Sequence, residues 1–241
     1  MANASKTVIV TGGSQGIGSG AVQAFLDRNY NFATSRNVTK SKELPSSPKL
    51  ALVDGDIGEA STAARVAETA ISTFGSIDAL INNAGIFFTK PFTDYTAEDF
   101  KRLFSTNLDG FIHVTQLAIK RMLAQKSGGS IVSVTASLAD NPIAGVNASI
   151  PMIAKGGINA ITRSLAIEYA KDGIRVNAVA PGVVDTPMHA NSPKDFLKRL
   201  SPMGSISNVQ EIVDAVVYLT EAPHVTGEVL HVDGGAHIGK W

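Results

Sequence analysis

Three glycines, Gly12, Gly16 and Gly18, fall within "VIVTGGSQGIGSG", Val8 to Gly20, where an apolar run passes directly into a turn and then into a helical pattern. Glycine tolerates positive φ and lets the backbone approach a ligand closely. A helix starting just behind such a turn offers unpaired N–H groups and a partial positive charge to an anion. A diphosphate is the anion this arrangement suits, and a strand before the turn with a helix after it is the context a dinucleotide site requires.

The end of the second apolar run, "ATSRN", bears on the other end of such a ligand. A free ribose 2′-hydroxyl calls for a carboxylate there, whereas a 2′-phosphate calls for positive charge. No carboxylate occurs between Ala33 and Asn37, while Ser35 supplies a hydroxyl and Arg36 a guanidinium. That pairing predicts NADP(H).

The elements that must hold these groups can be read from the hydrophobic pattern. Short runs rich in Val, Ile and Leu recur at Thr7–Val10, Asn31–Ser35, Leu50–Val53, Ala79–Ile81, Ser130–Val134, Arg175–Val179 and Val229–Val232. Several are apolar on both faces, as buried parallel strands are. Helical patterns lie between them, over Gly18–Tyr30, Ala60–Phe74 and from Thr96 to about Gln125. Thr96 with Asp99 reads as a capped helix start, and Ser207 with Gln210 as a capping box before "EIVDAVVYL". The alternation predicts an α/β fold, a doubly wound parallel sheet of Rossmann type in a single domain spanning 1–241, with its ligand site beyond the carboxyl ends of the strands.

The glycine spacing after Thr11 resembles the short-chain dehydrogenase/reductase family. The resemblance continues in order through "NNAG" (Asn82–Gly85), "STNLDG" around Asn107, "AKGG" around Lys155, "NAVAPGVVDTPM" (Asn177–Met188) and "TGEVLHVDGG" (Thr226–Gly235). It implies an oxidoreductase that interconverts a carbonyl and an alcohol. Ser14, Gln15 and Ile17 are then implied as phosphate-loop contacts, Asp56 and Ile57 as adenine contacts, and Asn83, Ala84 and Gly85 as the wall beside the adenosine ribose. Pro181, Gly182, Val184 and Thr186 are implied at the nicotinamide end. Lys155 is implied to bind the cofactor ribose, and Asn107 to sit at a helix irregularity and hold a water near it. Tetramers built on 96–125, 150–170 and the tail to Trp241 are the implied assembly.

One implied group is missing. The family's proton donor is a tyrosine four residues before the lysine, one turn away on the same helix face, where the lysine lowers its pKa. Here that position is Pro151, flanked by Ile150 and Met152. With Ser149 as N-cap the proline falls in the first helical turn, where its missing N–H costs nothing, and its ring is expected to point into the cleft. Tyr30, Tyr95, Tyr169 and Tyr218 offer no substitute by position. The family's serine column falls on Ala136, leaving Ser137 next to it as the candidate hydroxyl. His189, just after the nicotinamide segment, is a further candidate proton source, and 189–205 is expected to cover the pocket as a lid.

Composition limits the alternatives. With 241 residues, 44% of them hydrophobic, and formal net charge zero, the chain can bury one large core and has no electrostatic footprint for nucleic acid or anionic membrane. It contains no cysteine, so a thiol nucleophile, a disulfide framework and a Cys-ligated zinc are excluded, and no metal site is expected. "MANASKTVIV" has no signal-peptide pattern, so the expectation is a cytoplasmic protein acting on a small molecule. Two readings stay open: an NADP(H)-dependent reductase or dehydrogenase with an atypical proton donor, and an NADP(H)-binding protein without turnover.

Overall fold

The computed structural model describes residues 5–35 and 38–239, with the side chains of 33–35 left out. Its centre is a seven-stranded parallel sheet in the order β3-β2-β1-β4-β5-β6-β7. The strands are β1 (Thr7–Thr11), β2 (Asn31–Ser35), β3 (Leu50–Val53), β4 (Ala79–Asn82), β5 (Gly129–Val134), β6 (Ile174–Pro181) and β7 (Val229–Val232). Every residue of β1 and β4 is buried, which is why these runs are apolar on both faces.

Alternation along β1 shows how the two faces are filled. Val8 and Val10 join Val22 and Phe25 of α1 (Gly16–Asp27) and Val213 and Val216 of α7 (Val209–Glu221) in one core. Ile9 joins the opposite core with Val66 and Ala70 of α2 (Ala60–Phe74) and Val114 and Ile119 of α4 (Gly110–Gln125). The chain leaves β1 towards β2 on one side and returns to β4 on the other, which opens a crevice at the carboxyl ends of β1 and β4.

Three helices differ from the sequence pattern in detail. Thr96 and Asp99 do form a capping box for α3 (Ala97–Phe104), but the helix does not run unbroken to Gln125: a π-helical turn, Ser105–Asp109, separates α3 from α4. The second box belongs to Asn208 and Glu211 rather than Ser207 and Gln210. Ser207 stands one residue outside the helix in a bridge to Val184, and its N–H donates to the Val183 carbonyl, so it is not free for the backbone half of a capping box. Ser149 is the first residue of α5 (Ser149–Glu168), not its N-cap; Ala148 flanks the helix and there is no side-chain cap. Pro151 thus sits at the third helical position, still among the N–H groups that lack an intrahelical acceptor.

Among the described residues no helix is long and apolar enough to cross a membrane.

Candidate active site

The turn after β1 and the turn after β4 are locked together. Thr11 Oγ1 accepts from the N–H groups of Asn83 (3.1 Å) and Ala84 (3.0 Å), and Asn83 Nδ2 donates to the carbonyls of Thr11 (3.0 Å) and Gly12 (3.1 Å). Gly12 adopts φ +68°, and a Cβ on it would lie 2.9 Å from Ala84 Cα. A Cβ on Gly18 would lie 2.2 Å from the Gly12 carbonyl oxygen. Both glycines are therefore required by closeness, and Gly16, at φ +59°, faces Thr186 from the other bank. The backbone shape that a dinucleotide cofactor demands is present.

A cleft of about 340 Å³ opens beside this turn. It brings together Gly12, Gln15, Gly16 and Ile17 from the first turn, Asn83 and Gly85 from the second, and Ser137 and Lys155. Pro181, Gly182, Val184 and Thr186, following β6, complete the opposite wall. Ser14, Gly18 and Ala84 are not among these walls, and Gly18 and Ala84 supply the packing that shapes them. Asp56 is also outside the cleft, its carboxylate accepting from the Gly58 N–H at 2.9 Å, and the Ile57 side chain is buried in the core. Ser35 pairs with Thr11 and Val53 in the sheet; Arg36 lies outside the described residues, as does the tail residue Trp241.

The π-helical turn places Asn107 2% exposed, with Oδ1 accepting from the Ile86 N–H (2.9 Å) and Nδ2 donating to the Ile86 carbonyl (3.0 Å). Asn107 thereby holds the loop after β4. A Cβ on Gly85 would be 3.0 Å from its Oδ1 and 3.4 Å from Lys155 Nζ, so the two side chains converge on that glycine. Lys155 Nζ donates to the Val134 carbonyl at 2.8 Å. Burial alone pushes its pKa down from 10.5 to about 8.

That depression has a stability consequence. Between pH 8 and 10.5 the unfolded chain binds more protons at this site than the folded one, so stability rises with pH through that window; below it, the buried charge costs up to about 3 kcal/mol. Lys155→Met is expected to stabilise the ligand-free protein at pH 7 by about 1–3 kcal/mol, less than the full amount because the Val134 carbonyl loses its donor, and to flatten the rise above pH 8. Thermal melts from pH 7 to 10.5 read both effects; a destabilised variant with the wild-type pH slope would contradict them.

Near Lys155 the proton-transfer set is sparse. Pro151 is buried and is not among the walls of the cleft; Met152 lines it instead, so the expected direction of the proline ring is not what the structure has. Ser137 and Ala136 both line the cleft, while the Thr135 hydroxyl is committed to the Val179 carbonyl at 3.2 Å. None of the four tyrosines contributes a wall. Tyr95 is buried with its hydroxyl bonded to the Phe88 carbonyl and the Lys90 N–H, both at 3.1 Å. His189 does reach the cleft, its pKa lowered by burial. The 189–205 segment carries α6 (Lys194–Lys198) and adds Phe196, Leu197 and Leu200 to an otherwise apolar rim with Leu138 and Met188.

Two features had no advance signal in the sequence. Glu43, from the β2–β3 crossover, places its carboxylate on the first turn of α1, accepting from the Gly16 N–H at 3.1 Å. On the other side, Asp233 is buried after β7 and its carboxylate takes the N–H groups of Gly235 (2.9 Å) and His237 (2.8 Å). His237 stacks on His231 with ring centroids 3.8 Å apart, and His231 Nε2 is 2.9 Å from Asp140. This pair ties the segment after Ser137 to the turn on which Gly182 packs.

Comparison with known proteins agrees with this geometry. A family model described as enoyl-(acyl carrier protein) reductase matches residues 12–237. A tropinone reductase homolog of Arabidopsis thaliana is 38% identical over 97% of this chain and 91% of its own. Carbonyl reductase family member 4 of Xenopus laevis is 34% identical over 97% of this chain and 99% of its own. Among solved structures, 3-ketoacyl-(acyl-carrier-protein) reductase from Brucella melitensis, complexed with NADH, superposes with a TM-score of 0.89 at 27% identity, covering 96% of this chain and 98% of that one. With the family model spanning nearly the whole chain and relatives above 30% identity over nine tenths or more of their length, the chain belongs to the short-chain dehydrogenase/reductase family of oxidoreductases.

Proposed function

We propose that this protein is an NADP(H)-dependent oxidoreductase that reduces a carbonyl or oxidises an alcohol on a small, largely apolar substrate, with an atypical proton donor. The observation that carries the reading is the interlocked cradle of Gly12, Gly18 and Asn83 opening into the same cleft as Lys155. The phosphates would lie against Ser14, Gln15 and Ile17, the adenine near Asp56 and Ile57, the adenosine ribose by Asn83, Ala84 and Gly85, and the nicotinamide by Pro181, Gly182, Val184 and Thr186. The choice of NADP(H) over NAD(H) rests on Ser35 and Arg36 in the absence of an acid at the end of β2. When bound, the nicotinamide supplies or accepts the hydride.

The chain's own residues would hold the cofactor ribose at Lys155 and position substrate beside Ser137 and the apolar rim. Asn107 keeps the loop after β4 in place beneath them. With Pro151 standing one turn before Lys155, no phenol is available there; Lys155 with a pKa near 8, or His189 at the rim, is left to deliver a proton. A positioned general acid contributes about 10²–10⁴-fold, so its loss slows turnover without removing the contribution of orientation. The absence of any tyrosine from the cleft walls also favours a second reading, an NADP(H)-binding protein without turnover. NADPH oxidation followed across aldehydes, ketones and conjugated enones separates them: turnover of at least one class supports the first, and stoichiometric NADPH binding with none supports the second.

Self-association fits the surface. Ile153 and Ile167 of α5 are 52% and 82% exposed and Leu123 of α4 is also open, on the two helices through which a tetramer is proposed to form. Light scattering at micromolar concentration should give a tetramer mass; a monomer would overturn this part.

A further inference from the structure

Among the described residues of the β2–β3 crossover the regular element is a 3₁₀ turn at Val38–Lys40, and the segment lies back over the glycine turn. Thr39 fastens it to the Asp54 carboxylate through its N–H at 3.1 Å, and Ser41 donates its hydroxyl to the Ser14 carbonyl at 2.6 Å. Between these anchors and β3, Glu43 reaches the amino end of α1. One carboxylate oxygen accepts from the Gly16 N–H at 3.1 Å and from the Ser19 hydroxyl at 2.6 Å. The helix has no cap of its own: Gln15 makes no side-chain capping bond and no acid lies in the first turn. An anion from 27 residues along the chain fills that role, as expected of a helix end with free N–H groups and a partial positive charge.

The same helix end is where the proposed function places a diphosphate, and Gly16 is also a wall of the cleft. Two anions held against one helix terminus repel each other. We propose that Glu43 is a resident anion of the dinucleotide cradle: its carboxylate caps α1 in the free protein and must leave for the cofactor's diphosphate to bind, so that Glu43 weakens affinity for NADPH and NADH alike. This rests on the reading of the cleft as a dinucleotide site.

The role predicts opposite effects in the two states. Glu43→Gln keeps the side chain's shape and removes its charge; NADPH and NADH should each bind about three- to tenfold more tightly, as the loss of one helix-end charge interaction implies. The ligand-free protein should melt about 1–3 °C lower, because α1 loses a charged cap, and Glu43→Ala should lower it at least as far while also tightening both cofactors. Calorimetric titration and thermal melts with and without each dinucleotide measure both. Unchanged or weakened binding in a variant of a protein that does bind NADPH overturns the inference alone. A gain confined to NADPH also overturns it, since that would set the carboxylate against the 2′-phosphate instead. If neither wild type nor variant binds either dinucleotide, the reading of the cleft fails together with it.

Discussion

Gly18→Ala is expected to abolish measurable dinucleotide binding and to destabilise the protein by about 1–3 kcal/mol, the usual cost of forcing an extra carbon into a packed site. The new Cβ would lie 2.2 Å from the Gly12 carbonyl oxygen and 2.6 Å from Asn83 Nδ2. Neither neighbour can yield cheaply. The Gly12 carbonyl accepts from Asn83, and Asn83 is fixed in turn by Thr11, so relief of the clash must open the junction of β1 and β4 that shapes the cradle. The melting temperature should fall by roughly 2–10 °C, with no heat of NADPH binding. Gly157→Ala is the control: it lies inside α5, and beyond its chain neighbours and the helix's own backbone nothing comes within 4 Å of its Cβ, so it should be neutral or stabilising by up to about 1 kcal/mol. A Gly18→Ala protein that melts and binds like wild type would show that the close approach is not required.

Pro151→Tyr should raise carbonyl reduction by about ten- to a thousandfold, below the full range for a general acid because the site was not shaped for the ring. The position lies one turn before Lys155, whose ammonium would lower the phenol's pKa as it held the proton-donating hydroxyl in reach. Pro151 is enclosed and Met152 holds the wall beside it, so the ring must extend past the proline's volume into the cleft, and the gain belongs towards the lower end. Ala136→Ser in the same chain places a hydroxyl at the position that the family resemblance gives to serine. Melting temperature and NADPH affinity establish that the variant is intact. An intact variant no faster than its parent contradicts the assignment of position 151 as the vacant proton-donor site.

The sheet was legible because its strands carry their evidence locally: Val8–Val10 and Ala79–Ile81 are buried on both faces, and their sequences are apolar at every position. The box at Thr96 and Asp99 was legible for the same reason, since both partners lie within one turn. Ser207 misled because its backbone is claimed by Val184, a contact between segments that no local pattern records. Pro151 follows the expected register, yet its ring is enclosed, because side-chain direction in the first turn depends on what packs over it. Glu43 shows the limit most clearly. No local pattern links Glu43 to the amino end of α1, because the chain brings it there through a crossover that folds back onto that helix.

The measurement that bears most directly on the central claim is a calorimetric titration of the wild-type protein and of Arg36→Ala with NADPH and with NADH. The account predicts one NADPH per chain, bound at least about tenfold (1.4 kcal/mol) more tightly than NADH, with that preference reduced on removal of the guanidinium proposed to pair with the 2′-phosphate. Equal affinities for the two cofactors, or no binding of either by the wild-type chain, would contradict it.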